Sequence, residues 1–498
     1  MSAEPQLTER RSKLDVLLTH SYHLAHDVKQ WRKMQPYPPL GTLYAATALR
    51  EAGLSVAVFD SMFAEPISGF TAALERHQPK IVVIYEDDFN FVTKMCLTHM
   101  RELAFALAGL AQQHGCKVIA HGSDATDHPN VFLEHGVDYV LNGEAENTLI
   151  ELCGALLQSD NPHALPGLIQ RPFVAPATPA PHNPFWTSLP LAARDLIDLA
   201  PYREAWISAH GSFSTNVVAS RGCPFRCNWC AKPISGSRFQ LRPAQAVADE
   251  LQQLKMAYGV EHIWFGDDVF ALDRHWVEAF ASAVEGHSEP LPFKIQSRAD
   301  LLSKETVAAL KRAGCAEVWM GAESGSQKIL NTMTKGLSIE AIYEARRHLA
   351  HAGIRACFFL QFGYPGEGWN EIGETIQLVR ETMPDDIGVS VSYPLPGTTF
   401  YDRVQEQLGT KRNWVDSDDL CAIHTAAYTD EFYHALRTAL HAEVAAFHTV
   451  VPHNDCESLW KRVHDLEPVS RNRNVLTLSS PTVTLLPISD LTATPRSA

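Results

Sequence analysis

Three of the ten cysteines fall within eight residues, in the stretch Ser220-Arg221-Gly222-Cys223-Pro224-Phe225-Arg226-Cys227-Asn228-Trp229-Cys230. Thiolates at such spacing bind metal. A zinc ribbon needs a second Cys or His pair to close a tetrahedral site, and no such pair follows at usable spacing. Three thiolates instead suit a four-iron cluster with one iron left open. Positions i, i+4 and i+7 also share one helix face, so buried core cysteines are the alternative. Pro224 and Arg221-Gly222 favour a loop, because proline fits poorly inside a helical stripe and glycine marks a turn.

The stretch resembles the cluster-binding loop of radical S-adenosylmethionine (SAM) enzymes, Trp229 included. That resemblance implies that Cys223, Cys227 and Cys230 hold the cluster and that Trp229 lies beside the cofactor. It also implies that SAM on the open iron is cleaved to a 5'-deoxyadenosyl radical.

Such a loop needs a scaffold, and 498 residues suffice for two or three domains. A hydrophobic share of 45% with 20% charged residues is that of a globular chain. With 42 basic against 57 acidic residues the net charge is −15, which disfavours a general nucleic-acid binder. Met1 to Lys13 is polar, without the apolar core of a signal peptide. No run of about 18 apolar residues predicts a membrane span. The expectation is a cytoplasmic protein, whose thiols stay reduced and whose close cysteine trio reads as metal binding.

Residues 14–157 alternate apolar runs with helical patterns. Strands are predicted at Leu14–Thr19, Ser55–Asp60, Lys80–Tyr85, Lys117–His121 and Asp138–Leu141, and helices include Leu40–Ala52 and Phe91–His114. This rhythm predicts a parallel, doubly wound sheet with its ligand beyond the carboxyl ends of the strands. Neither Gly-x-Gly-x-x-Gly nor a phosphate loop is present, so a nucleotide fold of the common kinds is disfavoured. The segment resembles the cobalamin-binding domain fused to one group of radical enzymes. The resemblance rests on Tyr37-Pro38-Pro39-Leu40-Gly41-Thr42-Leu43-Tyr44, Leu49-Arg50-x-x-Gly53 and Asp138-Tyr139-Val140-x-x-Gly143-Glu144-x-Glu146. It implies cobalamin contacts from Gly41, Thr42, Leu43, Tyr85, Glu86, Ser123, Gly143 and Glu144. Asp-x-His-x-x-Gly, the cobalt-ligating motif of other cobalamin proteins, is absent, so a protein histidine ligand is unsupported. His20, His23, His26 and His121 are the histidines near the sheet edge. Glu86-Asp87-Asp88 either faces a corrin or caps the helix that follows.

Prolines recur between residues 158 and 200, which predicts a semi-rigid linker. Residues 201–400 resume strand-helix alternation. Strands are expected near Thr215–Ser220, His262–Phe265, Phe293–Gln296, Glu317–Met320, Ala356–Phe362 and Ile387–Ser392. Six units suit a partial (β/α)6 barrel, the number that the radical SAM family uses, with chemistry at the strand carboxyl ends. The resemblance implies that Gly266, Asp267 and Asp268 hold the methionyl amino group. It places Ser297 and Arg298 toward the ribose or carboxylate, Glu323 on the adenosine side and Gln361 over the adenine. Asp267 or Asp268 as a helix cap is the alternative.

Residues 401–470 are expected to form a small helical region, with Thr429 capping a helix Asp430–His448. It resembles the anaerobic magnesium-protoporphyrin IX monomethyl ester cyclase group and its hopanoid-associated relatives. A loosely ordered tail is expected over 471–498, and a polar segment over 1–13. The expected function is a cobalamin-dependent radical SAM enzyme that abstracts hydrogen from an unactivated carbon, most simply for methyl transfer. A radical oxidative cyclase and a corrinoid-responsive binding protein with a structural cluster are the alternatives. The expected partners are a small or amphipathic organic substrate and an electron donor such as flavodoxin or ferredoxin.

Overall fold

The computed structural model describes residues 13–160, 162, 165–172, 190–287, 289–448 and 454–472. Both terminal segments of the sequence reading therefore lie almost wholly outside the described residues, as does 173–189 of the proline-rich span.

Strands β1 (Val16–Thr19), β2 (Val56–Phe59), β3 (Ile81–Tyr85), β4 (Lys117–His121), β5 (Tyr139–Leu141) and β6 (Leu168–Gln170) form one sheet in the order β2-β1-β3-β4-β5-β6. All neighbours are parallel except β6, which runs antiparallel to β5. A short helix α1 (Val28–Lys33) leads into α2 (Leu40–Glu51), and the crossovers continue through α3 (Pro66–His77), α4 (Thr98–Gln113), α5 (Ser123–Asp127), α6 (Pro129–Glu134) and α7 (Glu146–Gln158). The central strands are apolar on both faces because both faces are covered. Val82 and Ile84 of β3 pack with Phe70 of α3 and Leu107 of α4. Ile81 and Val83 pack with Leu49 of α2 and Leu152 of α7. The order 2-1-3-4 places a topological switch between β1 and β3, which opens a crevice at their carboxyl ends.

Helix α8 (Ala200–His210) leads into the second sheet. Its strands are β7 (Ser214–Val217), then, after a two-strand clasp β8 (Ser220–Arg221) and β9 (Gln240–Leu241), β10 (His262–Phe265), β11 (Phe293–Ser297), β12 (Cys315–Glu323), β13 (Arg355–Phe362) and β14 (Asp386–Val391). The order β14-β13-β12-β11-β10-β7 is parallel throughout, an open barrel of six strands. Helices α9 (Ala244–Tyr258), α10 (Arg274–Glu285), α11 (Lys304–Ala313), α12 (Gln327–Thr332), α13 (Ile339–His351) and α14 (Trp369–Thr382) lie between strands. They start and stop where the sequence says they should. Asp273 caps α10, Ser303 caps α11 and Ser338 caps α13 through side-chain oxygens. On β11 the residues alternate, with Phe293 and Ile295 in the helix-side core and Lys294 and Gln296 on the lumen face.

Beyond the barrel come α15 (Thr399–Val404), α16 (Asp430–Phe447) and α17 (Asn454–Leu466). The amino-terminal segment and the carboxyl-terminal loop meet beside the barrel. Asp27 accepts from the Ser417 hydroxyl at 2.7 Å, and Lys29 donates to the Ser417 carbonyl at 3.3 Å.

Three local expectations differ. The span read as a linker supplies β6, a three-residue edge strand too short to carry a period. The helix expected from Phe91 begins at Thr98, because Cys96 adopts φ 54°, a left-handed conformation that a helix does not tolerate. Thr429 occupies the N-cap position of α16, but its side chain makes no cap bond.

Candidate active site

The cysteine loop is pinched at its base by antiparallel pairing of Ser220 with Leu241 and of Arg221 with Gln240. Gly222 has φ 82°, and a Cβ there would collide with the Arg238 carbonyl oxygen, so only glycine closes the clasp. Lys232 donates to the Cys223 carbonyl at 2.9 Å and also to that of Phe225, curling the loop around its own ammonium. Asn228 rivets the far side. Its amide donates to the Thr332 carbonyl at 2.7 Å, its Oδ1 accepts from the Tyr364 hydroxyl at 2.7 Å, and its carbonyl accepts from the Phe400 N–H at 2.9 Å. Trp229 packs on the cluster of Ile329, Met333 and Phe400 and buries its Nε1 without a partner.

Cys223, Cys227 and Cys230 are all half-buried and free. Burial and then the other two cysteines push the Cys230 thiol up to about 12; burial likewise raises Cys223, opposed by Lys232. Three thiolates gathered this way are costly unless a cationic centre neutralises them, which is what an iron cluster does. Among the described residues no three Cys, His, Asp or Glu side chains are gathered to grip a single ion. Three thiols of one loop close enough to raise one another's pKa are the donor set of a four-iron cluster with one iron left open, so these residues fit that group. Arg298 reaches Cys227 Sγ at 3.9 Å, with its guanidinium 3.8 Å from the centre of the Phe225 ring. The same arginine is tied to Asp300 at 2.9 Å.

The other strand ends divide by use. Asp267 is buried and accepts from the Ala219 N–H at 3.0 Å and from the Ser220 hydroxyl, so it latches the start of the clasp. Burial pushes its carboxyl up to about 7. Asp268 pairs with Lys94 of the first unit at 2.5 Å. Neither caps the next helix, a task that falls to Asp273. Gly266 packs on Phe89, and the Ser297 hydroxyl is spent on the Phe270 carbonyl at 2.8 Å. Glu323 stands at φ 60°, a strained conformation for a non-glycine residue, and pairs with Lys335 at 2.7 Å. Gln361 is buried with its Oε1 unpartnered. The barrel mouth thus brings together the three cysteines, Arg298, Lys335 and Asp268, and leaves one amide oxygen free beside them.

Against this mouth lies the carboxyl edge of the first sheet. Arg221, the residue before Gly222, is buried and pairs with Glu146 at 2.6 Å, with Asp88 at 3.9 Å, and lies over the Phe89 ring. Asp87 accepts from the Gly41 N–H at 3.0 Å, so it caps α2 rather than the helix that follows it. Thr42 donates to the Tyr85 carbonyl at 2.5 Å, and Leu43 is core. Gly41, Thr42 and Leu43 are therefore engaged in the fold's own bonds. Glu86 accepts from the Ser21 N–H at 3.0 Å. His20 has both nitrogens occupied, by Asp60 at 2.9 Å and Ser61 at 3.2 Å. Burial works against its cation, but Asp60, Glu86 and Asp87 together hold it above the ordinary value. The His23 Nδ1 contacts the Ser61 carbonyl at 2.8 Å. His121 stacks on Tyr85 at 4.0 Å and binds the Gly143 carbonyl at 3.0 Å.

This edge has a small cavity and unmet bonding capacity. A pocket runs between β3, β4 and α4, walled by Ile84, Ala104, Ala120 and Ala125, with Ser21, Glu86, His121 and Asp124 as its polar lining. Tyr85 Oη, His121 Nδ1, Asn142 Oδ1 and Asp88 Oδ1 are buried with no partner. Ser123 and Glu144 are buried at the same edge, Ser123 opening α5. Such orphaned atoms fit a large polar cofactor.

Sequence reasoning passed over Arg221, Glu146, Lys94, Asn228 and Lys335 as site residues. Arg221, Asn228 and Glu146 stood inside the quoted motifs, whereas Lys94 and Lys335 lie in stretches with no distinguishing pattern.

A three-cysteine loop clasped over the strand ends of a six-stranded parallel barrel defines a radical SAM domain. Residues 217–379 match the model of the Radical SAM superfamily, and the protein is a radical SAM enzyme. An uncharacterized methyltransferase of Pyrococcus horikoshii is 26% identical over 76% of this chain and 81% of its own length. The hopanoid C-3 methylase of Methylococcus capsulatus is 24% identical over 79% and 74%. Among solved structures, the radical SAM methyltransferase TsrM from Kitasatospora setae, with cobalamin and a 4Fe-4S cluster bound, superposes with a TM-score of 0.65 at 19% identity, covering 80% of this chain and 75% of that one. The cobalamin-dependent radical enzyme OxsB, with aqua-cobalamin bound, gives 0.68 at 16% identity, covering 92% and 72%. Both share the fold. No helix among the described residues is long and apolar enough to cross a membrane.

Proposed function

We propose that this protein is a cobalamin-dependent radical SAM methyltransferase acting on a small organic molecule. The observation that carries it is the joint at Arg221, which sets the cysteine loop directly against the carboxyl edge of the first sheet, where Tyr85 Oη, His121 Nδ1 and Asn142 Oδ1 are unpartnered. When bound, the cluster with SAM supplies a 5'-deoxyadenosyl radical and the corrinoid supplies a methyl group.

The chain's own residues then have defined work. Cys223, Cys227 and Cys230 ligate the cluster, and Arg298 and Lys335 offset its thiolate charge from one side. Asp268, held by Lys94 and part-exposed, is the carboxylate free to receive an ammonium; Asp267 is fully committed to backbone. Gln361 offers an amide oxygen to a base edge. In the first unit, Ser21, Glu86, Ser123, His121 and Asn142 are the residues that would hold the corrinoid. An external one-electron donor such as flavodoxin or ferredoxin completes the system.

Anaerobic reconstitution with iron, sulfide and cobalamin should give bound iron, bound corrin and reductant-dependent release of 5'-deoxyadenosine from SAM. With substrate present, methyl transfer yields S-adenosylhomocysteine as well, whereas oxidative cyclisation yields deoxyadenosine alone. A Cys223→Ala, Cys227→Ala, Cys230→Ala variant that kept its iron and still cleaved SAM would sink the proposal.

A further inference from the structure

The outer side of the cysteine loop carries charge that the proposed chemistry does not use. Although 57 of the 498 residues are acidic, none lies between Glu204 and Asp249, and five basic residues do. Two of the five are buried and paired, Arg221 with Glu146 at 2.6 Å and Arg242 with Glu250 at 2.6 Å. The other three are Arg226, Lys232 and Arg238, and none of them meets a carboxylate among the described residues.

Distances draw these three into one patch. The Lys232 ammonium donates to the Cys223 carbonyl at 2.9 Å and to the Phe225 carbonyl, and it reaches the Ser237 hydroxyl at 3.5 Å. Arg226 follows Phe225 and Arg238 follows Ser237, so an arginine stands one residue beyond each of these contacts. Arg238 donates to the Ser235 carbonyl at 3.2 Å, and Arg226 and Ser237 are exposed. Cys223 and Cys227 are half-buried, so patch and thiols share this surface. Acids on this side are spent or matched. Asp268 pairs with Lys94 at 2.5 Å, and α15, whose Phe400 N–H bonds the Asn228 carbonyl, brings one acid and one base, Asp402 and Arg403.

Offsetting thiolate charge does not call for an exposed cation. Arg298 and Lys335 already meet the loop from the barrel side, Arg298 3.9 Å from Cys227 Sγ and Lys335 5.9 Å from the centre of the Trp229 ring. Water and salt screen a solvated arginine from the thiols, but such a charge still steers an approaching partner of opposite sign. A chain of net charge −15 repels an acidic protein over much of its surface, so a basic patch decides where one lands.

We infer that this patch is the docking surface for a small acidic electron-transfer protein, which delivers its electron to the cysteine loop from outside. The inference rests on the radical reading of that loop and names where its external donor binds. The contact is transient, set by charge rather than by buried area. One electron passes for each SAM cleaved: the donor is oxidised, and SAM is reduced to methionine and a 5'-deoxyadenosyl radical.

The test follows 5'-deoxyadenosine release by the reconstituted full-length protein with two reductants. One is photoreduced flavodoxin, an acidic protein; the other is reduced methyl viologen, a small cation that needs no docking surface. Arg226→Glu with Arg238→Glu should slow the flavodoxin-driven rate at least about tenfold at low salt, within the range of electrostatic steering. Iron content and the viologen-driven rate should not fall. Raising salt to about 1 M, where the Debye length is about 3 Å, should bring the wild type down to the variant. An unchanged flavodoxin rate, a wild-type rate indifferent to salt, or an equal loss with both reductants overturns the inference. Where the double variant loses iron, Arg226→Gln takes its place: the ratio of flavodoxin to viologen rates should fall at least about threefold, and an unchanged ratio overturns the inference. If viologen drives release while flavodoxin shows no dependence on these charges, only the docking surface is wrong. If neither reductant gives 5'-deoxyadenosine, the radical reading falls and the docking surface with it.

Discussion

Glu367 is buried, accepts from the Gly363 N–H at 2.5 Å and leaves its other oxygen unpartnered. Burial pushes its carboxyl up from 4.5 to about 8, with the Gly363 bond opposing and Glu371 adding. A carboxyl raised on folding binds its proton more tightly in the native state. Its contribution to stability is complete below pH 4.5 and is lost as pH rises through about 8. Glu367→Gln, which mimics the protonated acid, should flatten the urea-measured stability profile between those limits. The wild type should lose on the order of 5 kcal/mol across them. A profile of the same slope in both proteins would show that Glu367 is ionised throughout. Asp267 has the same sign, its carboxyl raised from 3.8 to about 7, but it sits under the clasp, so its loss would also loosen the cysteine loop.

At the level of elements, the clasp β8–β9 is the one whose geometry the cysteines depend on. Gly222→Ala would force a left-handed alanine, costing about 1–2 kcal/mol, and drive its Cβ into the Arg238 carbonyl. The variant should reconstitute with less than half the iron; full iron content would show that the loop forms without the clasp. Most of the strands were legible because apolar runs on buried parallel strands leave a strong signal: Lys117–His121 and His262–Phe265 match residue for residue. Helix ends are also written locally: α9 stops at Gly259, and α11 runs from the Ser303 cap to Gly314. What escaped was non-local or short. Strand β6 has three residues, and the true use of Asp87, capping a helix forty-six residues earlier, exists only once β3 is laid beside α2. The cysteine spacing announced the chemistry, but which strand-end acid was spent on backbone and which was free required coordinates.

The whole molecule is two α/β units locked through a buried ion pair. Breaking one side of such a pair leaves a buried charge uncompensated and costs roughly 3–5 kcal/mol. Arg221→Gln and Glu146→Gln should each destabilise strongly in guanidinium melts. The double variant should be less unstable than the sum, with a coupling of roughly 1–3 kcal/mol. Strict additivity would mean that the two units do not communicate through this contact. Arg194 strengthens the same boundary, donating to Thr215 at 3.3 Å while Asn216 donates to the Pro38 carbonyl at 2.9 Å.

The joint also limits how this architecture can be recombined. Because the guanidinium belongs to the cysteine loop and its acids to the neighbouring sheet, the halves are matched parts. A chimera that takes its first 200 residues from a relative without acids at the positions of Asp88 and Glu146 inherits a stranded cation two residues before Cys223. Grafts should succeed only when residues 88, 146 and 221 travel together.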